Sequence, residues 1–156
     1  IYVGPDGRCV EAGGRGVITF DVRFGYWETE RMSRQRGLLF DTFYGVVSPL
    51  DTLGLGEEDE QEMRKTVAAY CLAQVGKPYN LNFLNSETEE SFYCSQLAYK
   101  AYRQVGIDLN TGLAMEQLPG TNAIIYPQEI WEGFSHRVSQ NAPDLGSSNQ
   151  LAKNPS

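Results

Sequence analysis

The spacing of the apolar residues changes once along this chain, and that change constrains the fold more than any other feature. Residues 1–3, 8–12 and 17–24 are short strand-like runs separated by turn residues, and residues 37–50 supply one or two further strands. In the second half of the chain, apolar residues recur at helical spacing. Strands followed by helices predict an α+β fold, with an antiparallel sheet packed against helices.

Two helices are predicted in this second half. The first begins in an acidic cluster at residues 57–62, which the positive end of the helix dipole favours, and it ends at Gly76 and Pro78. Its apolar stripe consists of Met63, Val67, Tyr70, Cys71 and Val75. The second helix runs from about residue 92 to residue 105 and ends at Gly106.

The remaining segments carry weaker signals. Residues 25–36 are predicted to be irregular or weakly helical, and residues 124–134 (IIYPQEIWEGF) to form a short strand followed by a turn. Residues 139–156 are rich in Ser, Asn and Pro, a composition typical of a disordered tail. The length of 156 residues suits one domain, which we place at residues 1–138.

Composition argues against two classes of partner. The formal net charge is −7, whereas a nucleic-acid-binding surface requires a basic patch. No apolar run approaches the ~18 residues of a membrane span. The chain has one histidine and three cysteines without CxxC spacing, so it carries no zinc signature. We therefore expect neither nucleic-acid binding nor a membrane span.

The three cysteines, Cys9, Cys71 and Cys94, cannot all pair with one another, so at least one is free or has another partner. Burial is the expected role of Cys9 and Cys71, because free cysteine is among the most buried residue types. The cysteine usage fits a reducing cytosol as well as an envelope site, so the compartment stays open.

Cys94 falls within one turn of the start of the second predicted helix, and two interpretations of it stay open. At that position the helix dipole and the unpaired backbone N–H groups favour a thiolate and can stabilise an oxyanion, which predicts a nucleophile. Cys94 is also in phase with Ala98 and Ala101, so an inert cysteine packed against the sheet gives the same pattern. The predicted helix cap is Ser91 or the S-x-x-E sequence that starts at residue 86.

A nucleophilic cysteine needs a base, usually a histidine, which a third polar group orients. The chain offers one imidazole, His136, in the polar sequence GFSHRVS near its C-terminal end. These polar flanks favour an exposed histidine without a catalytic function.

The sequence FYCSQLAYKAYRQVGIDL (92–109) resembles the cysteine helix of the circularly permuted NlpC-type hydrolases. These form the YiiX-like branch of the papain-like cysteine hydrolases and are related to lecithin:retinol acyltransferase. GKPYN (76–80) is similar to their Gly-x-Pro-Tyr-Asp segment, with Asn80 where Asp is common. IYVGPDGRCVEA (1–12) resembles their hairpin, and IIYPQEIWEGF their closing strand and turn. The resemblance extends over about residues 1–134, and the cysteine segment is its most specific part.

This resemblance implies a fold and a set of site residues. The fold is papain-like in its permuted NlpC-type form. Cys94 is the implied nucleophile and Glu11 the residue that orients the imidazole, while Tyr79 and Tyr93 are the implied substrate-binding residues.

The base is implied just ahead of the first strand, where the family carries its histidine in a His-x-Gly-Ile-Tyr arrangement. This chain begins at Ile1, so either the histidine precedes Ile1 in a longer chain or this member has lost its base. A start at a residue other than Met favours the first explanation. Substitution by His136 is disfavoured, because the family builds its triad from adjacent strands.

The function implied by the resemblance is that of a thiol hydrolase that needs no metal or cofactor. Its implied reaction is cleavage of an amide bond, with the peptides of bacterial cell walls as the leading substrate. A lipid acyl hydrolase or acyltransferase of the same fold is one alternative, and a binding module that keeps the cleft without a base is another. The oligomeric state stays open, and so does the choice between bacterial cytoplasm and cell envelope.

Overall fold

The computed structural model describes residues 1–22, 27–37, 42–113 and 120–140. Within these ranges the elements are, in chain order, β1 (Arg8–Gly13), β2 (Gly16–Asp21), α1 (Thr29–Arg36), β3 (Gly45–Val47), α2 (Glu57–Ala73), α3 (Cys94–Arg103), α4 (Pro127–Gly133) and β4 (His136–Val138). A 3₁₀ helix, Pro49–Leu53, lies between β3 and α2. The predicted α+β class is confirmed. None of the helices in the described ranges has the length and apolarity to cross a membrane.

The chain opens with antiparallel pairing, as the sequence predicts. Val10 donates its backbone N–H to the Ile1 carbonyl over 2.9 Å, so residues 1–3 run beside the start of β1. β1 then pairs antiparallel with β2, from Arg8 opposite Asp21 up to the turn. We call these residues, 1–21, the hairpin.

Gly16 attaches the hairpin to the segment that follows α2. Its φ of +84° lies in the left-handed region that favours glycine, and a Cβ at this position would lie 2.5 Å from the Lys77 carbonyl oxygen. Val17 donates its N–H to that same carbonyl over 2.8 Å, and Gly76 donates to the Val17 carbonyl over 2.9 Å. These contacts fix the position of the chain that leads towards α3.

Helix α3 contributes to two hydrophobic clusters. The first joins one face of the hairpin to α2 and α3, through Val10, Ala12, Val17, Val67, Cys71, Phe92, Leu97 and Ala101. The second contains Leu50, Tyr93, Tyr99, Ile107, Leu109 and Ile125. The predicted burial of Cys71 is confirmed, and burial raises the pKa of its thiol to about 11.

The other face of the hairpin packs under α1. Alternation along β1 places Cys9 in a cluster with Phe20, Val22 and Met32, while the next residue, Val10, belongs to the first cluster. The predicted burial of Cys9 is confirmed, and burial raises the pKa of its thiol as well. Residues 29–36, expected to be weakly helical at most, form a regular helix that ends at Gly37 with a φ of +74°.

The closing strand predicted at the start of residues 124–134 is wrong. Pro127 instead begins α4, because its fixed φ suits the first position of a helix. Glu129 Oε2 accepts the Tyr126 backbone N–H over 3.3 Å and so supports this helix start. The strand lies further on, at β4, and pairs antiparallel with β3. In the described residues, two two-stranded sheets therefore replace the single sheet that the sequence suggests.

Two other strands are shorter than predicted. Within residues 37–50 the described strand is β3 alone, since Pro49 begins the 3₁₀ helix. The strand predicted over residues 17–24 ends in the structure at Asp21. Several positions with predictions, including most of the predicted tail, lie outside the described residues: 23–26, 38–41, 114–119 and 141–156.

Candidate active site

Cys94 is the first residue of α3 and is exposed within a buried run. The residues around it each expose 5 % of their surface or less: Phe92, Tyr93, Ser95, Gln96 and Leu97. An inert core cysteine is buried with its neighbours, whereas a reactive one is accessible. The packing interpretation of Cys94, as a residue buried against the sheet, is therefore wrong.

Two hydrogen bonds clamp the residues on either side of Cys94. The Tyr93 hydroxyl accepts the backbone N–H of Ile125 over 3.0 Å, and Ser95 Oγ donates to the Ile125 carbonyl over 2.5 Å. Tyr93 exposes only 2 % of its surface, so its predicted contact with a substrate stays a prediction. The two bonds fix the start of α3 and leave the thiol as the exposed group between them.

Gln96 anchors the polar loop before α3, a role that the sequence reasoning missed. Its side chain is fully buried. Its Oε1 accepts from Asn80 Nδ2 over 2.9 Å and from the Tyr93 backbone N–H over 3.1 Å. Its Nε2 donates to the carbonyls of Ser86 and Thr88 over 3.2 and 3.0 Å. The oxygen and both N–H groups of the amide are thus satisfied.

The cap of α3 differs from both predicted caps. The N-cap is Tyr93, and the side chain of Gln96, at the third helical position, accepts the Tyr93 N–H. This arrangement is one half of a capping box, in which Gln or Glu reaches back from the third position. The sequence does contain a signal for this role, because Gln96 lies three residues after the N-cap, where a Gln or Glu side chain can reach back to the helix start.

Asn80 explains a departure from the resembled pattern, in which Asp is common. Its Nδ2 donates both to Gln96 Oε1 and to the Asn85 carbonyl over 2.9 and 3.0 Å. Its Oδ1 accepts the Asn82 backbone N–H over 2.9 Å. An ionised aspartate has no N–H to donate, so this network requires the amide.

Tyr79 forms a β-bridge with Phe92, two residues before Cys94, and its predicted contact with a substrate stays a prediction. Burial and, to a lesser degree, the electrostatic influence of Cys94 raise the pKa of Tyr79. The Tyr79 ring meets Phe83 edge-on with centroids 6.5 Å apart, and Phe83 meets Tyr93 in the same way at 5.4 Å. We define the apolar loop as the exposed residues of this segment, Leu81, Phe83 and Leu84.

Glu11, the predicted orienting residue, forms an ion pair with Arg36. Arg36 Nε donates to Glu11 Oε1 over 2.7 Å, and its Nη2 lies 2.6 Å from Oε2. The Glu11 side chain exposes only 17 % of its surface and the Arg36 side chain only 16 %. The pair is bidentate and belongs to the stronger class of charged hydrogen bonds. The sequence carries no local signal for it, because the pairing depends on how α1 packs on the hairpin.

A cavity of about 370 Å³ is lined both by Glu11 and by residues of α3, the helix that bears Cys94. Its wall includes Glu11 and Ile1 from the hairpin and Ala98 from α3. Ala98 lies four residues after Cys94, which places it on the same helix face, one turn further along. The cavity thus borders the predicted orienting residue and α3 one turn after Cys94, which is not itself among the described residues that line it.

His136 is exposed, as predicted, and its contacts lie on β4 and α4. Its ring packs on Trp131 at a tilt, with centroids 4.1 Å apart, and Nδ1 is 3.0 Å from the Phe134 carbonyl. Among the described residues, its contacts include neither Cys94 nor Glu11. Among all the residues that the structure describes, no group of three or more His, Cys, Asp or Glu residues could hold a metal ion.

The second half of the chain, which contains Cys94, matches a known family. A family model described as permuted papain-like amidase enzyme, YaeF/YiiX, C92 family, matches residues 54–145, more than half of the 156 residues. The chain belongs to this family. The YiiX-like resemblance of the sequence is thereby confirmed. Glu11 lies outside the residues that the family model matches.

Membership in the C92 family indicates the general class of reaction that this chain catalyses. The family consists of papain-like amidases, so the chain is a hydrolase of amide bonds, and the papain-like description implies catalysis by cysteine. Searches of curated proteins and of solved structures found no match to this C92 member.

Proposed function

We propose that this C92 amidase uses Cys94 as its nucleophile. The observation that carries the proposal is the exposure of Cys94 at the first position of α3, between residues that are buried and hydrogen-bonded. The N–H groups in the first turn of a helix have no partner within the helix, and the helix dipole is positive there. The position therefore favours the oxyanion that forms when the Cys94 sulfur attacks a carbonyl.

The reaction has two steps in this proposal. The Cys94 sulfur adds to the amide carbonyl carbon, the C–N bond breaks, and the amine leaves with a proton from the base, so that a thioester remains. The base then takes a proton from water, whose oxygen attacks the thioester, and the carboxylic acid and the thiolate are released. Tyr79 contacts the substrate beside the thiol, and Tyr93 supports the wall of the cleft.

We place the base, a histidine, ahead of Ile1 at the first position of a His-x-Gly-Ile-Tyr arrangement, with Glu11 as its orienting residue. The resemblance supports this assignment, because the family carries its histidine ahead of the same Ile-Tyr pair. Two contacts of Ile1 support it as well. Ile1 lines the same cavity as Glu11, and its backbone is hydrogen-bonded to Val10 on β1. Residues ahead of Ile1 would therefore continue from a strand that runs beside β1 and from the wall of the cavity that Glu11 lines.

A single domain of the permuted NlpC type, residues 1–138, accounts for these contacts. The hairpin lies outside the matched range 54–145, yet Val10 and Ala12 share one hydrophobic cluster with residues of α2 and α3. A cluster that joins both parts favours one folding unit.

The leading substrate in this proposal is a peptide amide of bacterial cell walls. An amidase family implies an amide such as a peptide bond. The further step to the cell wall rests on the resemblance to NlpC-type hydrolases.

A second candidate, hydrolysis or transfer of a lipid acyl group, is favoured by the apolar loop. Leu81, Phe83 and Leu84 expose 79 %, 43 % and 58 % of their surface. Exposed apolar groups that lie together mark binding surfaces more often than single ones do. The contacts of Phe83 with Tyr79 and Tyr93 connect this surface to the neighbourhood of Cys94.

A comparison of substrates tests these two candidates. We expect a cell-wall peptide to be hydrolysed with a kcat/KM at least about tenfold above that of a long-chain N-acyl amide, because the peptide realises more binding energy in the transition state. Amine release measured by mass spectrometry follows both substrates in one assay. The opposite order would replace the peptide with the acyl substrate, and cleavage of neither would favour the binding module.

Alkylation tests the proposed nucleophile directly. We expect iodoacetamide to modify Cys94 at least about tenfold faster than Cys9 or Cys71 at neutral pH, since both of those thiols are buried with raised pKa values. Peptide mass spectrometry after timed labelling gives the three rates. N-acetylcysteine is the control for simple exposure: a Cys94 rate below that of this free thiol at pH 6 would contradict an activated thiolate.

A further inference from the structure

We propose that Arg36 is a positioning residue of this active site, which holds the Glu11 carboxylate in the orientation that an imidazole base requires. The inference rests on the proposed function, in which Glu11 orients the base. It assigns a catalytic purpose to α1, the helix that ends with Arg36.

The geometry of the ion pair fixes the plane of the carboxylate. Arg36 donates through Nε and Nη2 to the two different oxygens of Glu11, over 2.7 and 2.6 Å. Two parallel bonds from a rigid guanidinium remove the rotation that a single bond would leave to the carboxylate. Because both side chains are largely buried, solvent competes weakly for these bonds.

The guanidinium is itself held in place by aromatic rings. Its central carbon lies 5.5 Å from the ring centroid of Phe20 and 5.3 Å from that of Trp27, within the range of cation–π contacts. These two rings meet edge-on with centroids 6.2 Å apart, and Trp27 also stacks on Phe43 at 5.1 Å. The position of Arg36 is therefore determined by β2 and by the segments that flank α1.

The end of α1 is attached to the hairpin turn. Arg15 Nη1 donates to the Gln35 carbonyl over 3.3 Å, and Arg15 also packs against Gly37. A Cβ at Gly37, whose φ is +74°, would lie 2.5 Å from Arg15 Nε. The chain around Arg36 is thus held against the hairpin that carries Glu11.

The ion pair leaves Glu11 able to accept an imidazole N–H. A carboxylate has about four lone-pair positions, and Arg36 occupies one on each oxygen. Glu11, and not Arg36, is among the described residues that line the cavity bordered by Ile1 and Ala98. The remaining lone pairs can therefore serve a base located beside Ile1 while the guanidinium fixes the carboxylate.

The test is a double-substitution cycle of Arg36→Met and Glu11→Gln, measured as kcat and KM on the preferred amide. Arg36→Met should lower kcat by on the order of 10²-fold and change KM by less than about twofold, because a misaligned base impairs chemistry more than binding. In the Glu11→Gln background, Arg36→Met should lower kcat by no more than about twofold, since Arg36 acts through Glu11.

Two further variants separate positioning from folding. Arg34→Met removes an exposed ion pair with Glu30 on the same helix and should leave kcat unchanged. Arg36→Lys keeps the charge without the bidentate fork, so it should stay folded and still lower kcat. It replaces Arg36→Met in the cycle if that variant does not fold.

Two outcomes overturn the inference. One is a folded Arg36 variant with a lower Tm and an unchanged kcat, which shows a structural role alone. The other is an equal loss of kcat in the presence and absence of Glu11, which shows that Arg36 does not act through this carboxylate. Failure of the proposed function is distinct from both, because it shows as hydrolysis that survives the loss of the Cys94 sulfur.

Discussion

We expect replacement of Cys94 by alanine to stop amide hydrolysis and to leave the thermal stability of the protein almost unchanged. The sulfur forms the bond to the substrate in the proposed mechanism, so we expect kcat to fall by at least about 10³-fold. The side chain is exposed, and its truncation creates no cavity in the core. The Tm should therefore shift by less than about 2 °C. Steady-state kinetics and scanning calorimetry measure the two quantities.

Cys71→Ala is the matched control for this experiment. Cys71 is fully buried in the cluster shared by the hairpin, α2 and α3. Removal of its sulfur should lower the free energy of unfolding by about 1 kcal/mol through the cavity that it leaves, with no change in kcat. Hydrolysis that persists in Cys94→Ala, or a fall in its Tm as large as that of Cys71→Ala, would contradict an exposed nucleophile.

The start of α3 is the part of the site that the sequence predicts best. The change from a polar segment to an apolar stripe, and the stop at Gly106, are local signals, and they locate the helix to within two residues at each end. The exposure of Cys94 is not a local property. Ala101, on the same stripe, is buried because it packs in the cluster with the hairpin and α2, whereas Cys94 is exposed and belongs to neither cluster of α3.

The features that sequence reasoning missed depend on distant partners or on competing local signals. β3 and β4 have three residues each, too short to show the alternation of a strand, and they pair across α2, α3 and α4. Arg36 meets Glu11 because α1 packs on the hairpin. At residues 124–134, the β-branched pair before Tyr126 suggested a strand, but Pro127 decides for a helix.

Replacement of Gln96 by leucine should lower the free energy of unfolding by about 3–5 kcal/mol. Leucine fills a similar volume but offers no hydrogen bond, so the Tyr93 N–H and the carbonyls of Ser86 and Thr88 lose their partner. Each buried polar group without a partner costs about 1–3 kcal/mol. Asn80 loses one bond as well but keeps the Asn85 carbonyl.

Urea unfolding and Tm measure this loss, and Gln104→Leu is its control. Gln104 follows the same helix, is exposed, and donates to the Lys100 carbonyl over 3.2 Å, so its replacement should cost less than about 0.5 kcal/mol. For Gln96→Leu we expect a fall in Tm of about 10 °C. The folded fraction should also lose kcat, because the same amide holds the loop and the residue before Cys94. An unfolding free energy within about 1 kcal/mol of the parent value would show that water or a shifted loop satisfies these groups, and that Gln96 does not fix the site.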